Sequence, residues 1–180
     1  MYTAALTCSL LATCISMFGL TRIAVKNHDA KLPKTLSELA ASEESLLNHF
    51  RYILFICGTL FAIAIYGYVA KTIHHHVLLA AAWSITYVGE LALALIPAKD
   101  KHLKVHTMLA RIMGFGMLSM AYIYWLDLHA GIQIGEATLA LLMSVLAILT
   151  ILDRRRFLFY ELPFIFFSHA SIILAVIALH

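Results

Sequence analysis

The chain has 180 residues, of which 62% are hydrophobic and 13% charged, and its mean hydropathy is +0.88. Soluble domains carry about 45–50% apolar and about 25% charged residues, so a water-facing surface is excluded and the class is integral membrane protein. The net charge is only +3, and no basic patch is interleaved with aromatics, which excludes a nucleic-acid partner.

The first apolar run, MYTAALTCSLLATCISMFGL, has no basic leader and no clear cleavage site, and its charges follow it. It reads as a retained first span rather than a signal peptide. Spanning helices need about 20 mostly apolar residues, and the chain supplies six such segments, at 3–21, 51–70, 77–97, 105–127, 134–152 and 157–178. Pro97 closes the third. The runs are long and continuous, unlike the short alternating runs of a barrel. The expected fold is therefore all-α, one transmembrane domain of six helices. Cys8, Cys14 and Cys57 lie in these runs as small packing residues and form no disulfide framework.

Only the connection at 22–50 is long. Its second half, KTLSELAASEESLLNHF, contains Thr35-x-x-Glu38, the pattern of a capping box. Leu36, Leu39, Ala40, Leu47 and Phe50 recur at helical spacing. Two readings stand: a short amphipathic helix on the membrane surface, or an extension of the second span. The basic residues give orientation. Twelve of the 13 lie on one side: Arg22, Lys26, Lys31, Lys34, Arg51, Lys99, Lys101, Lys104, Arg111 and Arg154 to Arg156. Lys71 alone faces the other side. By the positive-inside rule the three basic connections are cytoplasmic and both termini non-cytoplasmic. A bacterial chain of this kind would sit in the plasma (inner) membrane.

Charges inside spans mark a site or an internal ion pair. Glu90, Arg111 and Glu161 fall at about 10, 9 and 6 Å from the basic ends of spans 3, 4 and 6. Arg111 could fork to the glutamates and tie the three helices together, or snorkel to the interface. With His106 at the mouth of span 4 and Glu38 nearby, these residues can also form a ligand-binding cluster. His102 and His106 have the i, i+4 spacing that zinc uses, and His49 enters with span 2, so a bound zinc with His102, His106 and His49 as ligands is the metal reading. No glutamate stands between the two histidines, and His102 can equally lie in a loop. His169 falls near mid-membrane without a second histidine at its depth, which disfavours haem and favours a hydrogen-bonded packing residue. His74 to His76 read as a solvated outer loop. Asp127, His129 and Glu136 read as a polar rim at the outer end.

The order of TLSELAAS, GELALALIP, HLKVHTMLARIMGF and YELPFIFFSH resembles the six-span superfamily of damage-regulated autophagy modulators, Frag/Sfk membrane proteins and prokaryotic membrane families of unknown function. The matching positions are Ser37 and Glu38, His106 with Ala110, and Glu161. The resemblance extends over almost the whole chain. It implies a six-helix bundle acting on or within lipid membranes, and it supplies no reaction. Gly89-Glu90 and Arg111 are not part of it. Ser45/His49 and His102/His106 also echo the ceramidase and adiponectin-receptor type of metal hydrolase, in a different order and with one span fewer.

The expected function is lipid or small-ligand binding or scaffolding through Glu90, His106, Arg111, Glu161 and Glu38, with membrane lipid as partner and self-association or another membrane protein as further partners. The alternatives are a zinc-dependent intramembrane lipid hydrolase and a haem-linked electron-transfer protein.

Overall fold

A computed structural model describes residues 1–26, 35–99, 102–153 and 157–180. Among them there is no strand. Lys31, Lys34, Lys101 and Arg154 to Arg156, which entered the charge count, lie outside the described residues.

The first span is α1 (Tyr2–Lys26). The short α2 (Leu36–Ala40) follows. The second span joins α3 (Glu44–Ala64), a π-helical turn at Ile65–Val69 and α4 (Ala70–Thr72). The remaining spans are α5 (His76–Leu95), α6 (Leu103–Asp127), α7 (Ala130–Leu152) and α8 (Phe157–Ala178). Six helices are thus long and apolar enough to cross a membrane, and the protein is a polytopic α-helical membrane protein. Large apolar side chains such as Phe18, Phe115 and Phe159 stand outward. Water would disfavour that surface, and hydrocarbon accepts it.

Each spanning helix packs on its neighbours in sequence, and α8 returns to α1, so the six close into a ring. Short connections leave little alternative. The ring has two distinct ends. Both termini meet at one: the Tyr2 ring stacks on His180 with centroids 3.8 Å apart, and the Tyr68 hydroxyl, placed by the π-helical turn, donates to the Leu179 carbonyl at 2.7 Å. At this terminal end Asp127 receives the backbone N–H of His75 at 2.6 Å and also bonds the His75 ring. The three-histidine turn, expected from the sequence to be a solvated loop, is therefore only partly so, because its middle residue closes α5 onto α6. The opposite end is the basic one.

Lipid tails give helices no hydrophobic reason to associate, so close approach must do the work. The α5–α6 interface shows how. Gly89 lies against Met113, and Gly116 lies against Ala82 and Thr86. Thr86 meets its hydroxyl's need within its own helix, donating to the Ala82 carbonyl at 2.9 Å.

Between the first two spans, a short helix precedes an early start of the second span. Thr35 caps α2: its hydroxyl accepts from the Glu38 N–H at 3.1 Å, and Glu38 accepts from the Thr35 N–H at 2.9 Å. The chain turns at 41–43, and the second span then begins at Glu44, well before residue 51. A helix of five residues is unstable alone; α2 persists because Leu36, Leu39 and Ala40 bury themselves against the bundle, each leucine contributing about 1.5–3 kcal/mol.

Beside α2, the exposed Lys26 ammonium donates to Glu43 at 2.8 Å. This bond, helped by the Ser45 hydroxyl, holds the Glu43 carboxyl below its ordinary range. A lowered carboxyl favours the fold above its unfolded value and loses that contribution as pH falls through the folded one. The expected result is a small difference in unfolding midpoint between Lys26→Gln and the parent at neutral pH and low salt, vanishing in acid or in high salt. Midpoints measured against pH and salt check it.

Candidate functional site

The cluster expected from the sequence divides into separate places. Glu38, His106 and Glu161 come together at the basic end. On α8, Glu161 accepts the backbone N–H of Leu36, the first helical residue of α2, at 2.9 Å. That N–H is one of the donors a helix start leaves unsatisfied, and a carboxylate is the acceptor the helix dipole favours there. Glu38, across the same short helix, lies within electrostatic reach of both Glu161 and His106. His106, on α6, is 3% exposed. Its Nδ1–H donates to the Ile96 carbonyl at 2.6 Å, because a carbonyl can only accept. Its Nε2 has no partner. Thus His106 closes the end of α5 while presenting its second nitrogen to the interior.

Glu90 stands apart from this group. Gly89, Thr86 and Ala82 form the α5 face against α6. One residue further along a helix turns about 100°, so Glu90 faces α3. A Cβ on Gly58 of α3 would overlap its Oε2, and that oxygen has no partner. Arg111 is displaced for the same reason. Met113 and Gly116 face α5, and a residue two positions before Met113 lies about 200° round the helix. Arg111 is accordingly exposed on the outer side of α6. No ion pair joins it to Glu90 or Glu161 among the described residues. The expected three-helix salt bridge is not formed.

With Leu103, Lys104, Thr107, Met108 and Ile112, Arg111 lines an open groove on the outer side of α6, about 440 Å³ in volume. Thr107 turns its own hydroxyl inward along the helix to the Leu103 carbonyl at 2.8 Å. The groove therefore offers two cations and three apolar side chains.

The expected metal set also disperses. His49 and His102 are exposed on α3 and just before α6, and only His106 is buried. Among the described residues no three His, Cys, Asp or Glu side chains gather as metal ligands. His169 is buried, its ring 4.6 Å from that of Phe61. This is a packing position, and the Nδ1 atom lacks a partner.

Sequence reasoning missed a second polar place. Glu136 does not belong to an outer rim. It is 0% exposed, and its Oε2 accepts the Ser171 hydroxyl of α8 at 2.6 Å. The hydroxyls of Tyr124 and Ser168 are buried in the same half of the bundle without partners. The available signal was Ser168-x-x-Ser171, two hydroxyls on one helix face. A fifth span starting at 134 leaves Glu136 at the rim, whereas α7 begins at Ala130 and carries Glu136 about 9 Å inward.

Compared with known proteins, the chain matches no family model, no curated protein and no solved structure.

Proposed function

We propose that this polytopic membrane protein binds an anionic phospholipid at its basic end, in the groove on the outer side of α6. The observation that carries the reading is the placement of Lys104 and Arg111. They stand seven residues apart, two helical turns, on one outward face with Leu103, Met108 and Ile112 around them. Two cations near the end of a spanning helix match a headgroup phosphate, and Arg presents a planar fork for it. The apolar side chains match the first part of an acyl chain. Basic residues near a membrane surface contribute about 1 kcal/mol each toward anionic lipid.

In this reading the basic end faces the cytoplasmic leaflet, as the charge asymmetry requires, and both termini are non-cytoplasmic. Glu38, His106 and Glu161 brace α2 and the end of α5 beside the groove and do not touch the lipid. The six-span resemblance, with its membrane-lipid associations, points the same way. Among the described residues no three candidate metal ligands gather in support of the hydrolase alternative, and His169 packs against Phe61.

The test is lipid retention by the purified chain, measured by native mass spectrometry with phosphatidylglycerol and phosphatidylcholine in equal amounts. The expected result is a preference for phosphatidylglycerol that falls roughly tenfold or more in the Lys104→Gln/Arg111→Gln double variant. Equal retention of both lipids by the parent, or an unchanged preference in the double variant, rejects the reading.

A further inference from the structure

We infer that Glu136 is the proton-binding carboxyl of a small hydrated site enclosed between α6, α7 and α8, with Tyr124, Ser168 and Ser171 as its other polar groups.

The first ground is convergence. Glu136 is fully buried, with one oxygen engaged by Ser171 and Oε1 unpartnered. Tyr124, on α6, is equally buried, its hydroxyl is unpartnered, and it lies within electrostatic reach of Glu136. Ser168, one turn before Ser171 on α8, is 2% exposed, and its hydroxyl too is unpartnered.

The second ground is a contrast with other hydroxyls of the bundle. Serines and threonines in spanning helices commonly bond back to the carbonyl four residues earlier. Thr59, Ser84, Ser119, Thr138 and Ser144 all do so, at 2.7 to 2.8 Å. Ser171 instead turns to Glu136, while Ser168 and, on α1, Ser9 make no such bond. The Ser171 hydroxyl is thus given to a carboxyl on another helix rather than to its own backbone.

The third ground is chemistry. Orphaned polar atoms in a dry interior are costly, and water fills a buried space where it finds two to four polar partners. Here the partners are an oxygen of Glu136 and the hydroxyls of Tyr124 and Ser168. Water against a carboxyl can exchange a proton with it. A hydronium O–H bond breaks, an O–H bond forms on Glu136 Oε1, neutral water remains, and no electron is transferred. The occupant is monovalent, because Glu136 is the one carboxyl in the group. The helices packed on α7 are α6 and α8. From α6 only Tyr124 faces Glu136: Tyr122 bonds Ser144, and Asp127 bonds His75 at the terminal end. From α8 the Ser171 hydroxyl bonds it, and His169 packs against Phe61 of α3.

The test is infrared spectroscopy of the full chain reconstituted in phosphatidylcholine vesicles, read as the difference between the parent and Glu136→Gln. The expected result is a protonated-carboxyl carbonyl band, present only in the parent, that shifts within minutes of transfer to heavy water and is unaffected by sodium chloride. Ser168→Ala is expected to slow that shift at least severalfold while keeping the band. Absence of the band overturns the inference, as does a band that does not shift over hours, which means a dry core. A band lost on adding sodium chloride overturns it in favour of a sodium site. Should Glu136→Gln fail to fold, labelling of the parent with dicyclohexylcarbodiimide replaces it. An adduct mapped to Glu136 supports the inference, and its absence at saturating reagent overturns it.

Discussion

Gly116→Ala is expected to lower the unfolding midpoint of the protein more than any other glycine-to-alanine change on α6. A Cβ at this position would lie 2.9 Å from the Ala82 carbonyl oxygen and 3.3 Å from the Thr86 nitrogen, and closer still to the Thr86 hydroxyl. Two of those atoms are backbone of α5, so no side-chain rotation relieves the overlap. The Thr86 hydroxyl is held by its bond to Ala82. The two helices must separate, and a seam made of close contacts loses them along its length. Overpacking of this kind costs about 1–3 kcal/mol. Gly114, half a turn away on the same helix, is the control. A Cβ there meets only Phe164 at 3.9 Å, an ordinary contact, and replacing a helical glycine by alanine removes backbone freedom from the unfolded chain. Gly114→Ala is therefore expected to be neutral or stabilising by up to about 1 kcal/mol. Thermal unfolding of the purified variants in one detergent checks the pair, and equal midpoints would sink the argument.

The second large effect is expected at Glu161. Removing its carboxylate in Glu161→Ala strands the Leu36 N–H, which sits beneath a side chain only 1% exposed. A buried donor without an acceptor costs about 1–3 kcal/mol. For a five-residue helix that sum decides whether it stays docked. Residues 35–42 are expected to exchange amide hydrogens about tenfold faster or more, while the spanning helices keep their protection. In Glu161→Gln the side-chain carbonyl still accepts the N–H, so protection should largely persist. Hydrogen exchange read by mass spectrometry distinguishes the two variants. Equal rates in Glu161→Ala and the parent would show that burial of Leu36 and Leu39 holds α2 without help.

These two positions also show where reading the chain succeeds and where it stops. The six spans were legible because hydrocarbon demands about 20 apolar residues in a row whatever the neighbours are. Thr35 and Glu38 were legible because a capping box is a local exchange of bonds within four residues. Glu161 could be seen as a charge out of place, but not as an acceptor for Leu36, whose N–H lies 125 residues away in the chain. Gly116 looked like any glycine until α5 was laid against it.

The polar residues divide in the same way. Depth along a helix follows from counting residues at about 1.5 Å each, and by depth alone Glu90, Arg111 and Glu161 belonged together. Direction around a helix follows from which face a neighbour covers. Gly89 and Gly116 set that for α5 and α6, and they turn Glu90 toward α3 and Arg111 outward. Glu136 shows the sensitivity to a boundary: a start four residues earlier takes it from the rim to the interior. Sequence by itself thus determined the class of the protein, the number of its spans, the basic end and the cap of α2, since each depends on composition or on bonds between near neighbours. Tertiary structure alone decided which charges meet, which side chain stands outward and which hydroxyl reaches the Glu136 carboxyl, because those depend on azimuth, and azimuth is set only when one helix packs on another.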